Sequence, residues 1–214
     1  MFHDRRQAGA ALAAAMPDLR KKSAAIVVGL ARGGVEVAAE AAQLLEVPLE
    51  VLCIRKVAMP GYPELAMGAV APMGERFTNR RLAAALPPAE VEASYERAML
   101  EARAMDERVR GGLPLTLVGK TAVVVDDGAA TGASVRAAMA AVRNAGARQT
   151  VVALPVLPRP AAERLRRECD RLVVLRDPQR FRSVSGFYAD FDEVPEQRVI
   201  DLYLAGRPQL EVPA

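Results

Sequence analysis

The chain has 214 residues, of which 51% are hydrophobic and 26% charged, with a formal net charge of +3 at pH 7. This length and apolar content support a large buried core and argue against extended disorder. No apolar run approaches the roughly 20 residues of a membrane-spanning helix, and the charged start MFHDRRQAG lacks a signal-peptide core. We therefore expect a cytoplasmic protein with no membrane partner, and the small positive charge gives little reason to expect nucleic-acid binding.

Apolar runs and helical patterns alternate along the chain. Asp4 and Gln7 have the spacing of a helix capping box, which predicts a first helix over 4–16. Further predicted helices cover 33–45, 89–110, 134–146, 160–168 and 194–206, and predicted strands cover 24–30, 49–55, 121–126, 150–156 and 171–176. This alternation is typical of α/β proteins whose parallel sheet has helices on both faces.

Two segments, 56–110 and 177–193, interrupt the alternation. Residues 56–68 contain two prolines and two glycines, which predicts a loop, and 69–78 have the pattern of a weak strand pair. Long irregular insertions in compact domains usually carry function. We therefore expect functional residues in both segments.

The strongest chemical signal is VVVDDGAATGAS, residues 123–134. Open α/β sheets bind ligands at the carboxyl ends of their strands, where this segment places two acids. The small residues that follow let backbone N–H groups approach an anion at a helix N-terminus. Because Asp126 and Asp127 would repel a phosphate, they suit sugar hydroxyls or a bridging Mg²⁺ ion. The segment predicts a sugar-phosphate site; the alternative is a junction whose acids only cap the helix.

This segment resembles the signature that binds phosphoribosyl pyrophosphate (PRPP) in type I phosphoribosyltransferases. The resemblance implies that Asp126 and Asp127 hold the ribose 2′ and 3′ hydroxyls. It also implies that one loop wraps the 5′-phosphate. The residues of that loop are Gly128, Ala129, Ala130, Thr131, Gly132, Ala133 and Ser134.

The same resemblance implies a parallel twisted sheet flanked by helices, with a small hood. We place the core at 24–176, with a mobile insertion at about 56–110 that closes over PRPP, and the hood in 1–23 and 177–214. The two ligand loops must touch one ligand, so the strands ending at Leu30 and Asp126 should be neighbours at a switch point of the sheet.

A second loop follows the first core strand. Its residues are Ala31, Arg32, Gly33 and Gly34. Its glycines permit close approach, and Arg32 adds positive charge. In this position it resembles the family's pyrophosphate loop, whose first peptide, here Ala31–Arg32, is often cis. Arg55 and Lys56 after the next strand add two cations for the diphosphate. A bland turn and a solvated strand end remain the alternatives.

The DPQRFRSVSGFYADF segment at 177–191 resembles the hood of hypoxanthine-type enzymes. Phe181 falls where an aromatic ring stacks on the purine, and Asp190 where an acid meets its edge; Phe181 as a packing residue is the alternative. Those enzymes carry an acid in the phosphate loop, where this chain has Ala130, and a lysine that VALPVLPR lacks. The loop is more similar to the adenine type. The base is therefore not identified, and purines are only slightly preferred.

We predict transfer of phosphoribosyl from PRPP to a nitrogen base, with release of pyrophosphate and Mg²⁺ held by Asp126 and Asp127 through water or the ribose. No general acid or base stands out; Glu64, Glu92 and Glu96 are candidates. The start FHDRRQAG and the stretch RKVAMPGYPELAMGAV resemble predicted phosphoribosyltransferases of unsettled substrate. The alternatives are a PRPP-binding regulator without transferase activity and a diphosphokinase that makes PRPP. We expect a homo-oligomer.

Overall fold

Five parallel strands form the centre of the computed structural model, which describes residues 1–207, and of Pro63 and Glu64 only the backbone. These strands are β1 (Ala25–Leu30), β2 (Leu49–Leu52), β6 (Thr121–Val125), β7 (Gln149–Val156) and β8 (Arg171–Arg176). They lie in the order β2–β1–β6–β7–β8. The predicted parallel sheet is therefore confirmed, and its strand order reverses between β1 and β6.

Helices cover both faces of this sheet. They are α1 (Arg5–Ala14), α2 (Gly33–Leu45), α3 (Arg80–Ala83), α4 (Pro88–Arg110), α5 (Ala133–Asn144), α6 (Arg159–Leu165) and α7 (Glu196–Gly206). Alternate strand residues face opposite sides. Val27 packs in a core with α1 and α2, whereas Val28 packs in a second core with α5 and α6.

The first helix has the predicted capping residues. Asp4 accepts a hydrogen bond from the Gln7 N–H at 2.7 Å, and the Gln7 side chain accepts one from the His3 N–H. This exchange satisfies backbone donors that the first turn of a helix leaves free. The helix therefore begins at Arg5.

The prediction of a loop over 56–68 was wrong. Strands β3 (Arg55–Met59), β4 (Tyr62–Val70) and β5 (Arg76–Thr78) form a separate antiparallel sheet. Its inner face packs on α4 through Val57, Met67 and Tyr95, all nearly inaccessible to solvent. The prolines and glycines that suggested a loop lie in the hairpin turn and within β4, whose pairing with β3 is irregular. The predicted 49–55 strand likewise divides into β2 and β3.

A buried ion network fastens α4 to the parallel sheet. Arg110 is 5% exposed, and its guanidinium lies 3.0 Å from Glu50 on β2 and 3.2 Å from Asp106 on its own helix. Burial raises the pKa of Asp106, and the positive charge of Arg110 opposes that shift. The network therefore holds α4, and the antiparallel sheet packed on it, beside β2.

None of the helices within residues 1–207 has both the length and the apolarity to cross a membrane.

Candidate functional site

The candidate site lies where the strand order reverses. Strands β1 and β6 are parallel neighbours, with Gly29 opposite Val125, which confirms the adjacency predicted from the sequence. Their following loops, residues 31–34 and 126–134, therefore leave the same edge of the sheet side by side. Ligands of open α/β sheets bind at such a switch point.

The acid pair, Asp126 and Asp127, directly follows β6. One oxygen of each carboxylate has a protein partner: Asp126 Oδ1 accepts from the Asp127 N–H at 3.0 Å, and Asp127 Oδ2 accepts from Arg5 Nε at 2.9 Å. Among residues 1–207, no donor meets the other oxygen of either carboxylate, and neither of these oxygens is sealed from solvent. The acid pair therefore offers two open hydrogen-bond acceptors.

The environment of the acid pair disfavours its negative charge. Burial raises the pKa of Asp126 well above its ordinary value, and the charge of Asp127 adds to the rise. Burial also raises the pKa of Asp127, although the Arg5 guanidinium opposes it. The positive charge of the exposed Lys56 lowers the pKa of both acids and so opposes the effect of burial. Two half-buried carboxylates held together in this way are typical of a ligand site.

Two glycines allow the 31–34 loop to pack directly on the acid pair. A Cβ atom on Gly33 would lie 2.1 Å from Asp127 Oδ2, and one on Gly34 would lie 2.7 Å from Asp126 Oδ1. Neither position has room for a side chain. The glycines are therefore required by close approach rather than by unusual backbone angles.

The 31–34 loop also presents backbone donors. The Ala31 N–H donates to the Leu52 carbonyl at 3.1 Å, and the Ala31–Arg32 peptide bond is cis. In the part of the chain that the structure describes, the N–H groups of Arg32, Gly33 and Gly34 meet no acceptor. They stand at the N-terminus of α2, where free N–H groups and the helix dipole attract an anion.

Replacing Gly33 with alanine should destabilise the protein by about 1–3 kcal/mol, because the new methyl group collides with Asp127. The thermal midpoint should fall by roughly 2–10 °C. Gly186→Ala is a matched control, since its Cβ would meet no atom closer than 3.6 Å. Equal melting curves for the two variants would contradict the close packing of the loop on the acid pair.

The 128–134 loop presents a second set of backbone donors. The Ala129 N–H donates to the Val156 carbonyl at 3.0 Å, so it is not available to a ligand. Within residues 1–207, the N–H groups of Ala130, Thr131 and Gly132 have no acceptor. Residues 133–134 form the first turn of α5, whose N–H groups are unpaired in any helix. The backbone donors that this loop leaves free therefore lie within residues 130–134.

Two glycines shape this loop. Gly128 has a φ of 153°, and a Cβ there would lie 2.6 Å from Val184 Cγ1. Gly132 has a φ of 79° and immediately precedes α5. Both angles favour glycine. Arg136 then donates from Nη1 to the Thr131 carbonyl at 2.9 Å, which gives that carbonyl a hydrogen-bond partner.

The chain start and residues 187–191 close the other side of the acid pair. The Phe2 N–H donates to the Phe187 carbonyl at 2.8 Å, and the Ala189 N–H donates to the Phe2 carbonyl at 2.9 Å. Tyr188 Oη donates to the Asp127 carbonyl at 2.6 Å. Neither Arg5 nor Tyr188 was predicted as a site residue. The motif FHDRRQAG was the only signal near Arg5, and it indicated no role for its arginines.

A family model described as "Phosphoribosyl transferase domain" matches residues 1–192. The chain belongs to the phosphoribosyl transferase family. A Mycobacterium tuberculosis relative named "Putative phosphoribosyl transferase Rv0571c" is 38% identical over 205 residues, which are 94% of this chain and 46% of the relative. The chain therefore spans about half the length of the curated relatives it matches.

Solved structures extend the family comparison to the fold. The protein TT1426 from Thermus thermophilus shares 40% identity with a TM-score of 0.79, over 97% of this chain and 99% of that one. A hypothetical protein from Neisseria gonorrhoeae, solved with bound ppGpp, shares 14% identity with a TM-score of 0.50, over 97% of each chain. The second likeness shows a shared fold alone.

The three cations expected to bind pyrophosphate have different partners in the structure; they are Arg32, Arg55 and Lys56. Arg32 is ion-paired with Glu193, and both side chains are accessible to solvent. Arg55 Nε lies 3.9 Å from Glu101 on α4, whereas the charge of Lys56 acts on the acid pair. Successive side chains of a strand point to opposite faces, so Arg55 and Lys56 separate. Lys56 and Arg32 are therefore better placed for an anion than Arg55.

The residues expected to meet the acceptor base lie in the 177–191 segment. Phe181 stacks on Phe187, with ring centroids 6.1 Å apart and an interplanar angle of 16°. Asp190 is exposed, its N–H donates to the His3 carbonyl at 2.8 Å, and its carboxylate accepts from the Asp192 N–H at 3.3 Å. Phe181 is thus half-buried against neighbouring rings, and Asp190 is the more accessible of the two.

Of the three candidate acid–base residues, Glu92 and Glu96 lie on α4. Glu92 forms a two-pronged ion pair with Arg76 at 2.8 and 2.9 Å, and this bond lowers the pKa of Glu92. A carboxylate held ionised in this way is a poor general acid. Glu96 lies exposed on α4, and the side chain of Glu64 is outside the described residues.

A cleft of about 550 Å³ borders the 128–134 loop at Thr131 and Ala133. It is lined by Leu65, Ala66, Phe77, Thr78, Asn79, Arg80, Leu82, Thr131, Ala133, Arg136, Arg164 and Glu168. A smaller cleft of about 180 Å³ borders Arg5, Asp190 and Asp192. The first cleft therefore reaches the 128–134 loop, and the second reaches Arg5 and the 177–193 segment.

Proposed function

We propose that this protein binds PRPP with Mg²⁺ and transfers its phosphoribosyl group to a nitrogen base, releasing pyrophosphate. One observation carries the proposal: two helix N-termini with free N–H groups, at α2 and α5, flank a pair of carboxylates with two open oxygens. PRPP has two anionic groups separated by a ribose diol. The two sets of N–H donors flank the carboxylate acceptors, in the same way as the two anionic groups of PRPP flank its diol.

The acid pair suits the ribose. A vicinal diol donates two hydrogen bonds, and Asp126 Oδ2 and Asp127 Oδ1 are two free acceptors. Hydrogen bonds to ionised groups are worth about 1.5–3 kcal/mol each. The acids would thus fix the orientation of the sugar without transferring a proton.

The two loops suit the anionic groups. In this proposal the 5′-phosphate binds the N–H groups of residues 130–134 together with the hydroxyls of Thr131 and Ser134. The pyrophosphate binds the N–H groups of 32–34, with Arg32 and Lys56 adding positive charge. Arg32 would exchange its exposed ion pair with Glu193 for the pyrophosphate, which is a small loss because exposed pairs contribute little.

The donor set fits Mg²⁺ only as an ion shared with the substrate. In the described part of the chain, no group of three or more His, Cys, Asp or Glu side chains could hold a metal by itself. Mg²⁺ commonly binds through one or two carboxylates, several waters and substrate phosphates. Asp126 and Asp127 can supply those carboxylate contacts through water or the ribose, and the ion, when bound, neutralises pyrophosphate charge.

The proposed reaction breaks the bond between ribose C1 and the pyrophosphate oxygen and forms a bond between C1 and a base nitrogen, with inversion. Positive charge develops on the ribose ring while negative charge grows on the leaving pyrophosphate. The chain's part is to hold the ring at the acid pair and to stabilise pyrophosphate with Arg32, Lys56 and backbone N–H groups. In this proposal, part of the insertion at about 56–110 closes over PRPP and excludes water.

The acceptor in this proposal is a nitrogen base, with a slight preference for purines. Asp190 would accept hydrogen bonds from ring or exocyclic N–H groups at the base edge. Phe181 would add stacking if its ring faces the ligand as well as Phe187. The half-buried position of Phe181 supports its packing role more than its base-binding role.

Titration calorimetry with Mg²⁺ and PRPP tests the proposal, together with pyrophosphate release in the presence of a panel of purine and pyrimidine bases. Binding followed by release with at least one base supports the transferase. Binding without release from any base would support the alternative of a PRPP-binding regulator. Absence of binding to PRPP, ribose 5-phosphate and pyrophosphate would refute both.

A further inference from the structure

Arg5 occupies a position that none of the roles above explains. It stands in the first turn of α1, is 7% exposed, and reaches into the candidate site. Its Nε donates to Asp127 Oδ2 at 2.9 Å, and its Nη1 donates to the Asp192 carbonyl at 2.8 Å. The guanidinium carbon lies 3.9 Å from the centroid of the Phe191 ring.

These contacts decide which oxygen of Asp127 faces the ligand. Oδ2 is taken by Arg5 and is covered by the backbone of Gly33, so Oδ1 is the oxygen that remains open. The carbonyl of the same residue is held separately by Tyr188. Arg5 of α1 therefore holds the side chain of Asp127, and Tyr188 of the 177–191 segment holds its backbone carbonyl.

We propose that Arg5 is a positioning residue that aims the Asp127 carboxylate at the ribose and that joins the 187–192 segment to the acid pair. This inference rests on the proposed PRPP site. Arg5 acts through Asp127 and does not itself meet the substrate. Its burial together with Asp127 makes the pair sensitive to the loss of either member.

An arginine is required by the geometry. Its planar fork directs Nε to one acceptor and Nη1 to a second, while its flat face lies over the Phe191 ring. A lysine has one ammonium group and cannot reach Asp127 and the Asp192 carbonyl in the same way. Arg5→Lys should therefore retain the charge but lose part of the function.

The test compares Arg5→Ala, Arg5→Lys and the matched control Arg6→Ala. Arg6 is the next residue of α1, and its side chain is 70% exposed and paired on the surface with Glu40 at 3.2 Å. We expect Arg5→Ala to weaken ribose 5-phosphate and PRPP binding at least about tenfold, with Arg5→Lys in between. Arg6→Ala should stay within about twofold of the unchanged protein. Methylguanidinium added to Arg5→Ala should restore part of the affinity.

A merely structural role predicts a different pattern. Arg5→Ala with unchanged affinity, or with lost affinity that methylguanidinium does not restore, would overturn the inference. If Arg5→Ala fails to fold, Arg5→Lys decides, and unchanged affinity there would also overturn it. If the unchanged protein binds neither ligand, the proposed function fails instead. Hydrogen exchange at the Ala189 and Asp190 amides is then compared between Arg5→Ala and Arg6→Ala. Faster exchange in Arg5→Ala alone would show separately that Arg5 holds the 187–192 segment in place.

Discussion

Asp126→Asn should make the protein more stable and yet weaken PRPP binding about 10- to 100-fold, because a charged acceptor for a ribose hydroxyl is lost. The gain in stability follows from the environment of Asp126. Burial and the adjacent Asp127 charge raise its pKa well above the ordinary value of 3.8. Removing such a charge should contribute about 0.5–2 kcal/mol, as other functional-site replacements do.

The sign of the pH dependence follows from the same shift. A carboxyl whose folded pKa is raised favours folding in its protonated form, and this contribution is lost as pH rises through the folded pKa. The advantage of Asp126→Asn should therefore be small near pH 4 and should grow as the pH rises toward the folded pKa of Asp126. Thermal melts in buffer with a metal chelator measure it across that range.

Asp127→Asn is the control for this experiment. It also removes a carboxylate, but it leaves the buried Arg5 without its ion partner, so it should give no comparable gain and should lower the midpoint. Both variants should lose PRPP affinity in calorimetry. Equal stability changes in the two variants would show that the ion pair with Arg5 does not make Asp127 differ from Asp126 in its effect on stability.

Arg110→Met should destabilise the protein by about 3–5 kcal/mol, because Glu50 and Asp106 would remain buried without a cation. The thermal midpoint should fall by on the order of 10 °C. The loss should be smaller at low pH, since Asp106, whose pKa is raised by burial, can then become neutral within the fold. Chemical denaturation at pH 5 and pH 8 measures both effects.

Arg108→Met is the matched control, two residues away on the same helix. Its guanidinium pairs with Glu196, but its side chain is 52% exposed, so the change should be below about 1 kcal/mol. A second variant, Arg110→Met with Asp106→Asn, should recover part of the loss. If Arg108→Met and Arg110→Met melt alike, the buried network does not anchor α4.

The local features of the candidate site were readable in the sequence. The acid pair and the 128–134 loop follow a single apolar strand, and adjacency of β1 and β6 follows from the requirement that both loops meet one ligand. The partners of Asp127 were not readable. Arg5 lies 122 residues away in sequence and Tyr188 lies 61 away, and no periodicity or local motif connects positions so far apart.

The antiparallel sheet was missed for a different reason. Pro60 and Gly61 form the turn of a hairpin. Gly68 lies inside β4 and packs closely against Phe77 and Tyr95. A Cβ there would lie 1.9 Å from Tyr95 Oη, so glycine serves close packing within a strand. Composition alone marks such residues as loop formers, because the tertiary contact that requires them is not visible in a local window.

The bond from Arg5 to the Asp192 carbonyl closes a loop of 187 residues, and this has a consequence during synthesis. The sheet edge and both ligand loops can assemble once β7 has left the ribosome. The orientation of Asp127 must wait until Tyr188 and Asp192 have followed. Nascent chains whose last residue outside the ribosome lies between 160 and 185 should therefore hold a formed core in which the amides of the acid pair still exchange readily. Ligand affinity should emerge only in the final stretch of translation.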